Sequence, residues 1–132
     1  MGNDINEKRK YLRLDTVNIV KVTLDRKLIK KPSEFVSAFT KNISVEGVCF
    51  LSDKFFEKGK RLRIDMSLPG DPKPLRLRGK VCWSRLVKDK NKTNKVFEVG
   101  VELFTVGESD STRFMGYVCR HMTSRLGRYL HL

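Results

Sequence analysis

Three stretches of this chain alternate apolar and polar residues with a period of two. Leu62, Ile64, Met66 and Leu68 alternate with Arg61, Arg63, Asp65 and Ser67. Leu75, Leu77, Val81 and Trp83 share their stretch with Arg76, Arg78, Lys80, Cys82 and Ser84. Phe97, Val99, Val101 and Leu103 are set between Val96, Glu98, Gly100 and Glu102. Successive side chains of a β-strand point to opposite faces, so each run gives one dry face and one wet face. A helix cannot hold this pattern, because its 3.6-residue period would scatter the apolar set around the axis. Antiparallel strands wrapped round a core are what such runs specify. On the same parity Trp83 points inward and is expected in the core.

Shorter runs complete the sheet. Leu14 to Leu24 is rich in β-branched residues, with Val20, Val22 and Leu24 alternating with Lys21 and Thr23. Phe35 to Thr40 reads as a further strand, and Val48-Cys49-Phe50-Leu51 begins another. Between them Asp25–Pro32 is a charged connection, Pro69–Pro74 a rigid turn and Lys88–Lys95 a solvated loop. Six strands with no helix among them predict an all-β fold, a six-stranded antiparallel β-barrel. After Gly107 the period changes. Phe114, Tyr117, Val118, Met122 and Leu126 recur at helical spacing behind a cap at Ser109 or Asp110, which predicts a C-terminal α-helix packed on the barrel.

A chain of 132 residues suits one domain with its own core. The formal net charge of +13 favours an anionic partner but does not choose among nucleotide, nucleic acid, acidic protein face and membrane. Cys49, Cys82 and Cys119 are widely spaced, with no Cys-x-x-Cys, and read as reduced and mostly buried thiols of a cytoplasmic protein. No run approaches the ~18 apolar residues of a membrane-spanning helix. The two histidines, His121 and His131, lack metal-ligand spacing, and neither a nucleophile–base motif nor a glycine-rich phosphate loop is present. The expectation is therefore a protein with no catalytic residues, no metal and no cofactor, and not an enzyme.

Two polar motifs break the strand pattern. Glu7–Arg13 holds Arg9 and Arg13 as Arg-x-x-x-Arg, with Lys8 beside them. Asn42-Ile43-Ser44-Val45-Glu46-Gly47 is an Asn-x-Ser-x-x-Gly between two apolar runs. Guanidinium groups offer forked donors for phosphate or for guanine O6 and N7, and a flat cationic face that stacks. Asn and Ser can both donate to and accept from a base edge, and Gly permits close backbone approach. The arginine pair alone is common in so basic a chain, whereas the second motif is expected far less than once by chance. As a bare turn, Asn-x-Ser-x-x-Gly could equally be structural.

In this order, flanking a strand, the two motifs make the chain resemble the PilZ domain, a receptor module for the dinucleotide second messenger cyclic di-GMP, in its stand-alone form. Gly79-Lys80-Val81-Cys82-Trp83 and Phe97–Leu103 are similar to the later strands of that family. The resemblance implies a basic tail over 1–13 and a barrel with its C-terminal helix over 14–132. It implies cyclic di-GMP as ligand, bound by Lys8, Arg9, Arg13, Asn42, Ser44 and Gly47. It also implies a ligand-induced change relayed to a downstream protein partner in motility, exopolysaccharide or virulence control. The tail has few apolar groups to offset the entropy of ordering, so it is expected to order when the arginines engage ligand. The rival readings are a small basic β-barrel binding nucleic acid, with Arg76, Arg78 and Lys80 on one face, and a PilZ-like protein-interaction adaptor without nucleotide binding. Nucleic-acid barrels display aromatics on the binding face, and here the strand aromatics fall largely on the apolar one.

Overall fold

A computed structural model describes residues 15–25, 34–90, 94–104 and 108–130. Six strands form in chain order: β1 (Ile19–Leu24), β2 (Val36–Ile43), β3 (Gly47–Ser52), β4 (Arg61–Met66), β5 (Leu75–Lys90) and β6 (Asn94–Leu103). A helix, α1 (Glu108–Leu130), follows. The sheet closes in the order β1-β2-β3-β6-β5-β4, and every neighbouring pair is antiparallel. Closure leaves no strand edge free along the ring, which a two-faced sheet of this size otherwise has to protect.

The alternation expected from the sequence is what fills the barrel. Val20, Val22, Phe50, Leu62, Ile64, Met66, Leu75 and Val99 are wholly inaccessible to solvent. Each such side chain contributes about 1.5–3 kcal/mol by leaving water. Phe114, Tyr117 and Val118 bring one face of α1 onto this core. Polar groups cross the same junction in a connected set. The Asn18 amide donates to Tyr117 Oη at 3.1 Å and to the Ser67 carbonyl at 3.3 Å, while the Asn18 N–H donates to Thr40 Oγ1 at 2.7 Å. The Thr40 hydroxyl in turn donates to the Thr16 carbonyl at 2.7 Å. Residues 16–18, which lead into β1, are thus fastened to both β2 and the helix.

Four expectations need correction. The first strand begins at Ile19 rather than Leu14, because Asn18 is turned into the buried set just described. Lys88–Lys95 is not simply a loop. Strand β5 runs to Lys90 and β6 begins at Asn94; after a one-residue shift between Leu86 and Lys88, Lys88 lies opposite Val96, Asp89 opposite Lys95 and Lys90 opposite Asn94. Backbone pairing satisfies the peptide groups of the paired residues whatever their side chains, so a charged run can be strand without alternating. The helix starts at Glu108, ahead of both proposed caps. Asp110 instead accepts from the Arg76 backbone N–H and the Arg113 guanidinium, each at 3.2 Å, tying the first turn to β5. Of the cysteines only Cys49 is buried; Cys82 and Cys119 are exposed, and none of the three is in a disulfide.

Candidate functional site: a cleft on the outer face of the barrel

Registers across four strands bring distant residues into one row. Asn42 on β2 lies opposite Cys49 on β3, Cys49 opposite Gly100 on β6, and Gly100 opposite Trp83 on β5. Together with Ser44 and Gly47 these residues line a cleft of about 150 Å³ on the outside of the barrel. The Asn42 side chain is half-buried and makes no hydrogen bond with the described residues. Its amide is therefore available to a ligand as donor and acceptor.

The motif turn is held by its own serine. The Ser44 N–H donates to the Gly47 carbonyl at 2.9 Å, and Ser44 Oγ accepts from the Gly47 N–H at 3.2 Å and the Glu46 N–H at 3.4 Å. Ser44 is buried by these contacts. The Leu103 N–H donates to the Glu46 carbonyl at 2.9 Å and pins the turn to the end of β6. Gly47 is required by that closeness, since a Cβ there would stand 2.7 Å from the Val101 carbonyl oxygen. The serine and glycine of the motif thus shape the turn, and Asn42 is the member whose hydrogen-bonding groups remain open.

Trp83 is not in the core. The register of β5 against β6 shifts between Val81 and Trp83, so Cys82 is an extra residue and the parity of the strand reverses after it. Val81 points inward opposite Val101, and Trp83 points outward opposite Gly100. Its indole occupies the space a side chain at position 100 would need. A Cβ on Gly100 would lie 2.7 Å from Cζ2 and closer still to Cε2 and Nε1. The cleft therefore has an aromatic floor beside a polar wall, which suits a flat heterocycle with hydrogen-bonding edges. A glycine on the wet face of β6, between Glu98 and Glu102, was the sequence signal for this seat.

Next to the cleft Glu98 is buried on the outer face, where Lys41 Nζ approaches it at 3.1 Å and Arg85 at 3.4 Å. Cys49 Sγ lies 3.6 Å from the same carboxylate. Burial alone would raise the Glu98 carboxyl, but the hydrogen bond and charge of Lys41, then those of Arg85, more than offset it and hold it below 4.5. None of these three residues was singled out by the sequence reading. The cationic stripe of the nucleic-acid reading, Arg76, Arg78 and Lys80 on β5, meets acids of neighbouring elements at both of its arginines. Arg78 pairs with Asp25 at 3.4 Å, and Arg76 comes within 4.0 Å of Asp65, which Arg63 of β4 also engages at 3.1 Å. Phe35 and Phe104 lie beneath Arg63 and Arg61, at 5.2 and 5.3 Å. Lys8, Arg9 and Arg13 lie outside the described residues. Among the described residues no helix is long and apolar enough to cross a membrane, and no group of three metal-ligating side chains forms.

A closed antiparallel barrel with a filled interior, a helix on its core and a polar cleft on its outer face defines a small β-barrel domain. The family described as the PilZ domain matches residues 7–119, and the chain belongs to that family. Solved structures agree in fold. The Bacillus subtilis inhibitor of motility MotI/DgrA is similar with a TM-score of 0.60 at 22% identity over 89% of this chain. The PilZ domain of YcgR from Escherichia coli, solved with c-di-GMP, gives 0.62 at 13% identity over 95% of this chain and 99% of its own length. The K. pneumonia MrkH–c-di-GMP complex gives 0.58 at 11% over 92% of this chain. The chain spans 52% of the B. subtilis protein and 55% of MrkH, about half of each. A comparison with curated proteins finds no match.

Proposed function

We propose that the protein is a receptor for cyclic di-GMP, and that its activity is non-covalent binding followed by a change presented to a downstream protein. The observation that carries this reading is the cleft itself. Asn42, the Ser44–Gly47 turn and the outward Trp83 converge from three strands on one surface fitted to a purine. Asn42 hydrogen-bonds the guanine edge, Ser44 holds the turn that presents it, and Gly47 keeps the wall thin. A cleft of about 150 Å³ is smaller than the ~300–1,000 Å³ of an enclosing ligand pocket, so a dinucleotide there needs cover from a further element. Arg9 and Arg13, with Lys8 adjoining, supply it by contacting phosphates and guanine faces. Two of the solved relatives carry c-di-GMP, which supports the choice of ligand.

Isothermal titration with cyclic di-GMP, run beside single-stranded DNA, tests the reading. Hydrogen bonds to charged groups are worth about 1.5–3 kcal/mol, so Arg13→Ala weakens binding roughly ten- to a hundredfold. Unchanged affinity in both Arg9→Ala and Arg13→Ala removes the tail from the site. Oligonucleotide binding with a steep salt dependence, and no response to cyclic di-GMP, favours the nucleic-acid reading instead.

The relay is proposed to run through the first thirteen residues, which ligand draws across the barrel rim. Their continuation at residues 16–18 is fastened to the helix through Asn18 and Tyr117. Amide exchange over residues 5–14 slows on adding cyclic di-GMP if this is the switch. Amides already protected without ligand place the switch elsewhere. Motility, exopolysaccharide or virulence control is the proposed setting, in keeping with the B. subtilis relative, whose name is an inhibitor of motility.

A further inference from the structure

One step along the sheet from the cleft floor lies a second row, Leu51, Glu98 and Arg85 on β3, β6 and β5. Residues two apart on one face of a strand are separated by about 7 Å. The row therefore borders Cys49, Gly100 and Trp83 within the reach of a long side chain. At its centre Glu98 is 5% exposed, although it lies on the solvent side of the barrel. Lys41 reaches it because the register of β2 shifts between Thr40 and Asn42, leaving Lys41 as an extra residue beside the cleft wall. Arg85 reaches it from the other flank, with its guanidinium 5.7 Å from the Trp83 ring centroid.

The charges do not cancel. Two cations share one carboxylate, which leaves one positive charge in excess at the border of the cleft. The side chains of Lys41 and Arg85 are 49% and 66% exposed, so their charged ends are open to solvent. A buried carboxylate contributes little to folding that an apolar residue of similar size would not, so stability alone does not call for a triad at this place. Lys has three donors and Arg five, and one carboxylate cannot take them all. Each cation can keep Glu98 and still donate to another anion.

We infer that Lys41 and Arg85 form a phosphate subsite at the edge of the cleft, with Glu98 as the positioning residue that holds both in place. This deepens the cyclic di-GMP reading and rests on it. A nucleotide whose base lies against Asn42 and Trp83 brings a phosphodiester alongside that row, where the two cations bridge it to Glu98. Arg85 provides a forked pair of donors and Lys41 a point charge. The site thus engages phosphate from the barrel as well as from the N-terminal arginines.

The test is isothermal titration of the full chain with cyclic di-GMP at several salt concentrations. Lys41→Gln/Arg85→Gln/Glu98→Gln removes the cations and the buried charge together, and thermal unfolding verifies that it folds. At one charge-assisted contact or more, its affinity falls about tenfold or further, and its salt dependence becomes shallower. Lys58→Gln, an exposed site elsewhere with the same change in net charge, stays within about twofold. Arg85→Gln alone leaves the Lys41–Glu98 pair intact and weakens binding by about threefold or more. If the triple variant and Arg85→Gln both match the wild type while Asn42→Ala loses affinity, the subsite is overturned and the functional reading stands. If the wild type does not bind cyclic di-GMP, the functional reading falls. Titration with inorganic pyrophosphate then decides the subsite: binding that the triple variant abolishes supports it, and no binding by the wild type overturns it.

Discussion

Gly100→Ala is the most direct probe of how the cleft is built. A Cβ at this position would lie 2.7 Å from Cζ2 of Trp83 and nearer to two other indole atoms. No ordinary packing contact is that short, so either the indole or β6 has to move. Strand β6 is bonded on both sides, to β3 and to β5, whereas Trp83 faces outward and has solvent to turn into. The ring therefore yields. Overpacking a well-packed site costs about 1–3 kcal/mol, and a ring that can swing outward places this case near 1. For a domain of this size that is a fall in Tm of roughly 3–5 °C. Trp83 is the only tryptophan, so intrinsic fluorescence reads the seat without interference. Its emission moves to longer wavelength in Gly100→Ala as the ring becomes more hydrated, and cyclic di-GMP affinity drops with the loss of the aromatic floor. An emission maximum and an unfolding midpoint both equal to the wild type would refute the seating of the indole on Gly100.

Two further outcomes follow from the same geometry. Gly47→Ala sets a Cβ against the Val101 carbonyl oxygen at 2.7 Å, where backbone rather than a movable ring is in the way. Urea denaturation should show a loss of about 1–3 kcal/mol, and the ligand titration a loss of affinity. For Glu98 the folded carboxyl titrates below its ordinary 4.5, so its stabilising contribution is complete above that pH and is lost as pH falls through the folded value. In Lys41→Met/Arg85→Met burial acts alone and raises the carboxyl, so the charged form is destabilising at neutral pH. A fully buried broken pair costs about 3–5 kcal/mol, and half-exposed partners reduce this to roughly 1–3. Urea titrations should show the gap to wild type widest near pH 7 and closing below pH 4.5; a gap independent of pH contradicts the charge assignment.

The barrel was legible because its determinant is local. Leu62, Ile64 and Met66, or Val99 and Val101, each declare a face through their immediate neighbours, and six such runs close in only a few ways. The Asn42–Gly47 motif was legible for a different reason, since its residue types are rare in that spacing. Lys41, Glu98 and Arg85 carried no such sign. Each reads alone as an ordinary charge on a wet strand face, and only the register across β2, β3, β6 and β5 makes them neighbours. Trp83 was misassigned because alternation was carried through Cys82 unbroken. A bulge inserts one residue and reverses everything after it, with no change in the residue types on either side. Ser44 could be recognised as part of a motif, but its use in closing the turn needed the positions of the Glu46 and Gly47 amides.

The two bulges that border the cleft, at Lys41 and at Cys82, have the same effect on its opposite flanks. In a regular strand, adjacent side chains go to opposite faces, so an outer surface receives at most every second residue. The shift in β2 sends both Lys41 and Asn42 outward between the inward Thr40 and Ile43. The first of the two shifts in β5 does the same for Cys82 and Trp83 after the inward Val81. Between them β3 and β6 stay in register and contribute Gly47 and Gly100, which take up almost no room. The barrel thereby gains side chains at the flanks of the cleft and, at Gly100, the room in which the indole lies down as its floor, and that combination turns a convex outside into a concave site. Filling the interior requires alternation, whereas forming this surface requires alternation to fail at two chosen places. The residues that looked least regular in the strands, at 41–42 and 82–83, are accordingly the ones that carry cation, amide and ring to the cleft.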